Sequence, residues 1–109
     1  IKIVSRTKDI IIKEGINISP KYLENEILKI KYVDEVSVIG IKNNLYGEVP
    51  VAFIKSKKKL PYSFIIQNLK RKISDKILPY DIISIKEIPK NNIGKVDKKK
   101  LLKKYDNRS

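Results

Sequence analysis

The chain has 109 residues, and its 25 Lys and Arg against 12 Asp and Glu give a formal charge of +13. That length fits one domain with a modest core. Cys and His are absent, which excludes disulfides, thiolate metal sites, cysteine nucleophiles and histidine general bases. Any chemistry must therefore come from Lys, Arg, Asp, Glu, Tyr, Ser or backbone groups.

The positive charge favours anionic partners such as nucleotides, CoA phosphates, nucleic acid or an acidic protein. Because the lysines are spread along the whole chain, most are interpreted as solvated surface, typical of the Lys-, Ile- and Asn-rich proteins of a low-GC genome. The sequence has no apolar stretch near the roughly 20 residues of a membrane span and no signal-peptide pattern, which predicts a cytoplasmic location. The absence of Met and the start inside an apolar pattern predict a piece of a longer protein.

The first third of the chain predicts a hairpin and a helix. Residues 1–4 have the pattern of a short strand, residues 10–13 form a second apolar run, and Gly15 supplies turn chemistry for a small hairpin. Ser19 as N-cap and Pro20 at the first helical position predict a helix start. The apolar stripe of this helix is Leu23, Ile27 and Ile30.

The middle of the chain predicts two paired strands. Residues 36–41 and 49–54 are β-branched and nearly continuously apolar, as buried strands are. The turn between them runs from Asn43 through Gly47, so the two strands should form a hairpin. Pro50 lacks an amide donor, which predicts an edge position or a bulge.

The last third predicts a helix, a strand and a final helix. Ser63 can cap the second helix, and Pro79 stops it. Residues 82–88 are predicted to form a third strand, and residues 89–96 a loop. Asp97 can then cap a short final helix. The order predicts an α+β fold: a small, mostly antiparallel three-stranded sheet with two packing helices, an N-terminal hairpin and a short C-terminal helix.

Two charged, turn-like segments carry the candidate chemistry. Residues 89–98 read Pro-Lys-Asn-Asn-Ile-Gly-Lys-Val-Asp-Lys, so Lys95 follows Gly94 in a loop after a strand. A lysine is a compact charge on a long stem that can approach two reacting anions, and a glycine lets the backbone turn sharply or approach a ligand closely. Residues 5–9 read Ser-Arg-Thr-Lys-Asp, and residues 15–20 read Gly-Ile-Asn-Ile-Ser-Pro.

These segments, at this separation, resemble the two ends of the C-terminal domain of adenylate-forming enzymes: acyl- and aryl-CoA synthetases, peptide-synthetase adenylation domains and luciferases. The resemblance covers essentially all of the chain, and residues 36–40 and 46–50 are similar to the family's buried hairpin. It implies that residues 1–109 are the moving lid of an AMP-forming ligase. The fragment alone is then expected to be inactive, because the ATP and acyl pockets belong to the N-terminal domain.

The resemblance also implies roles for single residues. Lys95 would be catalytic, entering the active site of the large domain to contact the carboxylate substrate and the nucleotide phosphates. Lys8 would be the hinge, whose torsions change between the adenylation and thioester-forming poses, and Arg6 fits the pattern of that linker. Gly15 would line the pantetheine tunnel in the second pose. Gly94 and Arg6 are expected, with Gly15, at the positions that meet bound cofactors.

The resemblance implies ATP with Mg²⁺, and CoA or a phosphopantetheine thiol, bound mainly by the N-terminal domain. The expected partners are that domain, a carboxylic acid, and CoA or an acidic carrier protein, with no nucleic acid, no metal site and no membrane span. The choices of acid and of thiol remain open, because the acyl pocket lies outside this sequence.

Three other interpretations stay open. The chain can be the C-terminal part of a peptide-synthetase or D-alanine carrier-protein adenylation domain. A basic nucleic-acid-binding α/β module would fit the charge, but the strands carry Val and Ile with Phe53 alone, instead of the alternating aromatics of an RNA-recognition fold. A stand-alone interaction domain that has lost catalysis would have no need of Lys95.

Overall fold

The computed structural model of the chain describes residues 10–108, with side chains to residue 106. The strand predicted at residues 1–4, the predicted linker residue Arg6 and the predicted hinge Lys8 lie outside the described residues. The described elements, in chain order, are β1 (Ile11–Lys13), β2 (Ile16–Ile18), α1 (Pro20–Leu28), β3 (Val33–Asn43), β4 (Gly47–Ser56), α2 (Tyr62–Lys70), a 3₁₀ turn (Asp75–Ile77), β5 (Asp81–Ser84) and α3 (Lys98–Arg108).

Within residues 10–108 the five strands form one sheet built around β4. The order is β2-β1-β4-β3, and β5 also pairs with β4. The β5–β4 pairing is parallel, whereas the β1–β2, β1–β4 and β3–β4 pairings are antiparallel. The predicted α+β class is therefore confirmed, and the N-terminal hairpin extends the predicted three-stranded sheet by pairing Lys13 with Gly47.

Strand β4 is buried on both faces, which explains its continuous apolar sequence. Successive side chains of a strand point to opposite faces. Ala52 and Ile54 belong to the apolar cluster under α1, α2 and the hairpin, while Val51 and Phe53 belong to the cluster under α3. Leu101 of α3 is fully buried in that second cluster, so α3 is fixed against the sheet by apolar packing.

Helix α1 begins where the sequence predicts. The Ser19 hydroxyl accepts a hydrogen bond from the Tyr22 amide at 3.2 Å, and Pro20 occupies the first turn. Leu23 and Ile27 are buried, as predicted. No helix in the described part of the chain is both long enough and apolar enough to cross a membrane.

The predicted cap of α2 is wrong. The helix begins at Tyr62, with Pro61 at the N-cap in an extended conformation, instead of after Ser63. The Pro61 carbonyl accepts the amides of Phe64 and Ile65, so backbone geometry sets the start of the helix without a side-chain cap.

The third predicted strand is shorter than residues 82–88. Strand β5 ends at Ser84, and the Ile85 amide makes the next bond, to the Ile54 carbonyl at 2.9 Å. The chain then leaves β4, although Ile88 is still buried. Burial thus continues after pairing ends, which is why the apolar pattern alone overestimated the strand.

Pro50 lies in the central strand, so the predicted edge position is wrong. Its carbonyl accepts the Tyr80 amide at 2.7 Å, and the amide and carbonyl of a strand residue point to the same side. On that side β4 pairs with β1 at Gly47 and with β5 from Val51 onward. The missing donor of Pro50 therefore faces the interval between two ladders, where it interrupts neither.

Candidate active site

Lys95 lies in a closed loop of residues 90–96, called the lysine loop below. Lys90 and Val96 pair as an antiparallel bridge at its base. The Asn91 amide donates to the Lys95 carbonyl at 2.8 Å, and the Gly94 amide donates to the Asn91 carbonyl at 3.0 Å. The lysine loop is therefore a tight turn held by its own backbone.

Gly94 supplies the torsion that this turn needs. Its φ is +86°, a left-handed value that costs a residue with a Cβ roughly 1–2 kcal/mol. Among the described residues, no atom beyond its chain neighbours lies within 4 Å of where a Cβ would sit. Of the two roles that the sequence left open for Gly94, the structure therefore supports the sharp turn, and a ligand contact stays a prediction.

The side chain of Asn91 adds two further bonds to the lysine loop. Its Oδ1 accepts the Ile93 amide at 3.0 Å and the Lys95 amide at 3.1 Å. Sequence reasoning did not identify Asn91 as a functional residue. The sequence signal that could have identified Asn91 is the tendency of an asparagine side chain to bond a backbone amide two residues ahead in a turn.

The C-terminal end of the lysine loop is anchored by α3. The Asp97 carboxylate accepts the Lys100 amide at 3.2 Å, and the Asp97 carbonyl accepts the Leu101 amide, so the predicted cap is confirmed. The Asp97 amide donates to the Pro89 carbonyl at 2.9 Å. Because Leu101 is fully buried, the lysine loop is attached to a fixed helix.

The side chain of Lys95 is exposed and lines an open groove of about 540 Å³. The charged residues of the groove are the lysines 21, 95 and 98 and one carboxylate, that of Glu24. Excess positive charge in a concave surface raises the local concentration of anions. The arrangement thus suits an anionic ligand beside the Lys95 ammonium. The described lining residues are Ile10, Ser19, Pro20, Lys21, Glu24, Ser37, Val38, Lys95, Val96 and Lys98.

The Glu24 carboxylate forms part of the wall of this groove. Its Oε2 accepts the Val38 amide at 2.9 Å, on the side of β3 opposite to β4, since β3 ends the strand order. A carboxylate bonded to a strand amide at a sheet edge satisfies a donor that could otherwise pair with another chain. We therefore interpret Glu24 as a structural residue of the groove.

Gly15 lies in a second region, called the hairpin corner below: residues 13–15 with Tyr46. Glu14 and Gly15 both have positive φ, +51° and +81°, as a tight two-residue hairpin turn requires. The Glu14 amide donates to the Tyr46 carbonyl at 2.8 Å, and the Lys13 ammonium lies 5.2 Å from the centre of the Tyr46 ring. Gly15 itself is exposed, with open space where a Cβ would sit.

The structure brings some predicted site residues together and separates others. Lys95 and Gly94 share the lysine loop, and Ile10, which directly follows the linker of residues 5–9, lines the same groove as Lys95. Gly15 is not among the described lining residues of that groove. Arg6 and Lys8 lie outside the described residues.

Comparison with known proteins identifies the family. Residues 22–95 match the model of the AMP-binding enzyme C-terminal domain. The chain is 38% identical over 103 residues to a peroxisomal trans-cinnamate:CoA ligase of Petunia hybrida, covering 93% of this chain and 18% of the relative. It is 32% identical over 94 residues to a 2-succinylbenzoate–CoA ligase of Oceanobacillus iheyensis, covering 86% of this chain and 20% of that protein.

Solved structures show the same fold. A Mycobacterium tuberculosis fatty acyl CoA synthetase superposes with a TM-score of 0.85 at 29% identity, over 93% of this chain and 20% of that one. Apo MatB from Rhodopseudomonas palustris gives a TM-score of 0.87 at 29% identity, over 94% of this chain and 21% of that one. The chain spans about a fifth of the length of the curated relatives named above. It belongs to the family of AMP-binding enzyme C-terminal domains.

Proposed function

We propose that this domain is the mobile C-terminal lid of an ATP-dependent, AMP-forming acyl-CoA synthetase, and that Lys95 is its adenylation residue. The relatives with similar sequences are CoA ligases, which supports the reaction class. The observation that carries the proposal is the exposed Lys95 side chain on an anchored turn, at the rim of a groove with excess positive charge.

The chemistry of adenylation explains why such a lysine would be needed. A carboxylate oxygen attacks the α-phosphorus of ATP, and the bond from that phosphorus to the bridging oxygen breaks as pyrophosphate leaves. Two anions must meet, and negative charge redistributes over the phosphoryl oxygens. The Lys95 ammonium would offset their repulsion and stabilise the charge in the transition state. The N-terminal domain would hold the acyl group, ATP and its Mg²⁺.

Thioester formation would use a second pose of the lid. We propose that Lys8 is the hinge between the poses, because residues 5–9 resemble the family's linker and Ile10, which directly follows them, lines the same groove as Lys95. Gly15 would then meet the pantetheine arm, with Arg6 and Gly94 near the nucleotide. Gly15 is not among the described residues that line the groove beside Lys95, which supports two working surfaces, one for each half-reaction.

The proposed thiol acceptor is CoA, since the similar curated ligases use it. An acidic carrier protein would also suit the formal charge of +13. Presenting the full-length enzyme with CoA and with a phosphopantetheinyl carrier protein decides between them. If thioester formation is faster on the carrier protein than on CoA, the enzyme is a carrier-protein ligase and the proposed assignment as an acyl-CoA synthetase is wrong.

The role of Lys95 is tested with Lys95→Ala in the full-length enzyme. We expect the rate of adenylation, measured by pyrophosphate exchange, to fall about 100-fold, as when one transition-state donor is removed. Thioester formation from preformed acyl-adenylate should stay within about threefold of wild type, since the lysine would act only in the first pose. Lys99→Ala is the matched control, because Lys99 is exposed on α3 and is not among the described groove residues. Equal losses in both half-reactions would contradict the assignment.

A further inference from the structure

Asn91 takes part in four of the hydrogen bonds that close the lysine loop. Two use its backbone: its amide donates to the Lys95 carbonyl at 2.8 Å, and its carbonyl accepts the Gly94 amide at 3.0 Å. Two use its side chain: Oδ1 accepts the amides of Ile93 at 3.0 Å and of Lys95 at 3.1 Å. Both backbone polar groups of Lys95 are therefore bonded to the same residue.

The side-chain bonds are the ones that depend on the identity of residue 91. Any residue other than proline can make the two backbone bonds, whereas the other two need a short side chain with an oxygen acceptor. The tip of the lysine loop has little packing to replace them. Ile93 is 76% exposed, and Gly94 has no side chain. The Oδ1 atom of Asn91 is thus the centre around which the tip of the turn is arranged.

The base of the lysine loop gives Asn91 a fixed origin. Lys90 precedes it, pairs with Val96 in the bridge, and places its ammonium 3.4 Å from the Glu35 carboxylate of β3. That ion pair is partly exposed and contributes little energy, but it shows that the base of the lysine loop lies beside β3. Lys90 contacts β3, the next residue is Asn91, and Asn91 in turn bonds the backbone of Lys95.

We infer that Asn91 is the positioning residue of the adenylation reaction: its Oδ1 fixes the backbone from which the Lys95 side chain extends. This inference rests on the proposed role of Lys95. A lysine side chain is long and flexible, so its ammonium reaches a defined point only if its Cα is held. Small errors in the placement of a reacting or stabilising group cost large factors in rate. Asn91 therefore acts through Lys95 without contacting the reactants.

The test is a double-mutant cycle in the full-length enzyme, with wild type, Asn91→Ala, Lys95→Ala and the double variant. Adenylation is measured by pyrophosphate exchange, and thioester formation is measured from preformed acyl-adenylate. We expect Asn91→Ala to lower the rate constant of adenylation about tenfold and to change the KM for ATP less than about twofold, since only the transition-state geometry is lost. Thioester formation should be unchanged, which also shows that the variant is folded.

The cycle separates this inference from the proposed function. In the Lys95→Ala background, Asn91→Ala should cost less than about twofold more, because residues that act as one unit are not additive. A tenfold loss in both backgrounds, or equal losses in both half-reactions, overturns the positioning role. Full adenylation activity in Lys95→Ala overturns the proposed function instead. Asn92→Ala is the matched control: the exposed Asn92 side chain takes no part in the bonds that close the lysine loop, and wild-type adenylation is expected.

Discussion

The lysine loop and the hairpin corner have the same backbone feature but different neighbouring groups. Each contains an exposed glycine with positive φ, +86° at Gly94 and +81° at Gly15, and each has open space where a Cβ would be. The lysine loop follows its glycine with a long cation. The hairpin corner presents bare backbone beside Tyr46, which its Glu14 amide contacts. The same left-handed torsion is thus followed by a lysine side chain in one region and adjoins exposed backbone in the other.

The two regions also differ in how they are held. The lysine loop is closed by bonds to Asn91 and continues into α3, whose Leu101 is fully buried. The hairpin corner joins two strands of three residues each. Among the described residues, its ladder to β4 is the pair of Lys13 with Gly47, and the Glu14 amide also donates to the Tyr46 carbonyl. We infer that precise placement matters more in the lysine loop, whereas clearance matters more at the hairpin corner.

Gly15→Leu should give the largest effect at the hairpin corner. If a pantetheine arm passes over Gly15, a leucine there would block it, and thioester formation from preformed acyl-adenylate should fall about 100-fold. Adenylation should stay within about threefold, because Gly15 is not among the described residues that line the groove beside Lys95. Measuring both half-reactions in the full-length enzyme checks this. Loss of adenylation alone would contradict the proposal that the hairpin corner acts in thioester formation.

Gly94→Ala should give the opposite pattern, with a smaller effect. The alanine Cβ meets open space, but the left-handed torsion is strained by roughly 1–2 kcal/mol, so the loop shifts and Lys95 moves with it. Adenylation is expected to fall about tenfold with thioester formation unchanged. The matched control is Gly15→Ala, which has the same strain and should leave adenylation at the wild-type rate.

Gly40→Ala should affect both regions equally, by lowering stability. A Cβ on Gly40 would lie 3.0 Å from Cγ1 of the buried Ile11 in β1. Overpacking of this kind costs about 1–3 kcal/mol, against a gain of about 0.4–1 kcal/mol from a less flexible unfolded chain. Thermal unfolding of the domain should show a net loss of about 1 kcal/mol. An increased unfolding temperature would show that Ile11 adjusts without cost.

Tyr62→Phe, at a residue that belongs to neither region, should give the smallest effect. Its hydroxyl donates to the Pro79 carbonyl at 3.0 Å, and losing that bond should cost about 0.5–1 kcal/mol of unfolding free energy. Burial, with the Asp81 carboxylate adding to it, raises the pKa of Tyr62 above its ordinary value of 10.0. Folding therefore favours the neutral phenol, and stability should fall as pH rises above about 10. Phenylalanine should reduce that alkaline loss, which unfolding at pH 8 and pH 11 would measure; an unchanged loss would contradict it.

Local sequence signals predicted two of the three helix caps correctly, those of α1 and α3 but not that of α2. Ser19 and Pro20 start α1, and Asp97 caps α3, because each cap bonds an amide three residues ahead. For Gly94 the sequence left a sharp turn and a ligand contact open, and its φ of +86° supports the turn. The buried runs of β3 and β4 were likewise visible, since burial on both faces leaves no polar alternation to interpret.

Contacts between distant parts of the chain were decided only by the tertiary structure. Pairing of Lys13 with Gly47 carries the hairpin into the sheet, and residues as distant in sequence as Ile10, Val38 and Lys95 line one groove. Pro50 is tolerated in a central strand because, along one edge of β4, β1 pairs before Pro50 and β5 pairs after it. A propensity reports what one segment prefers by itself. Which donor faces which acceptor across the fold depends on how all the segments pack, so only the folded chain determines it.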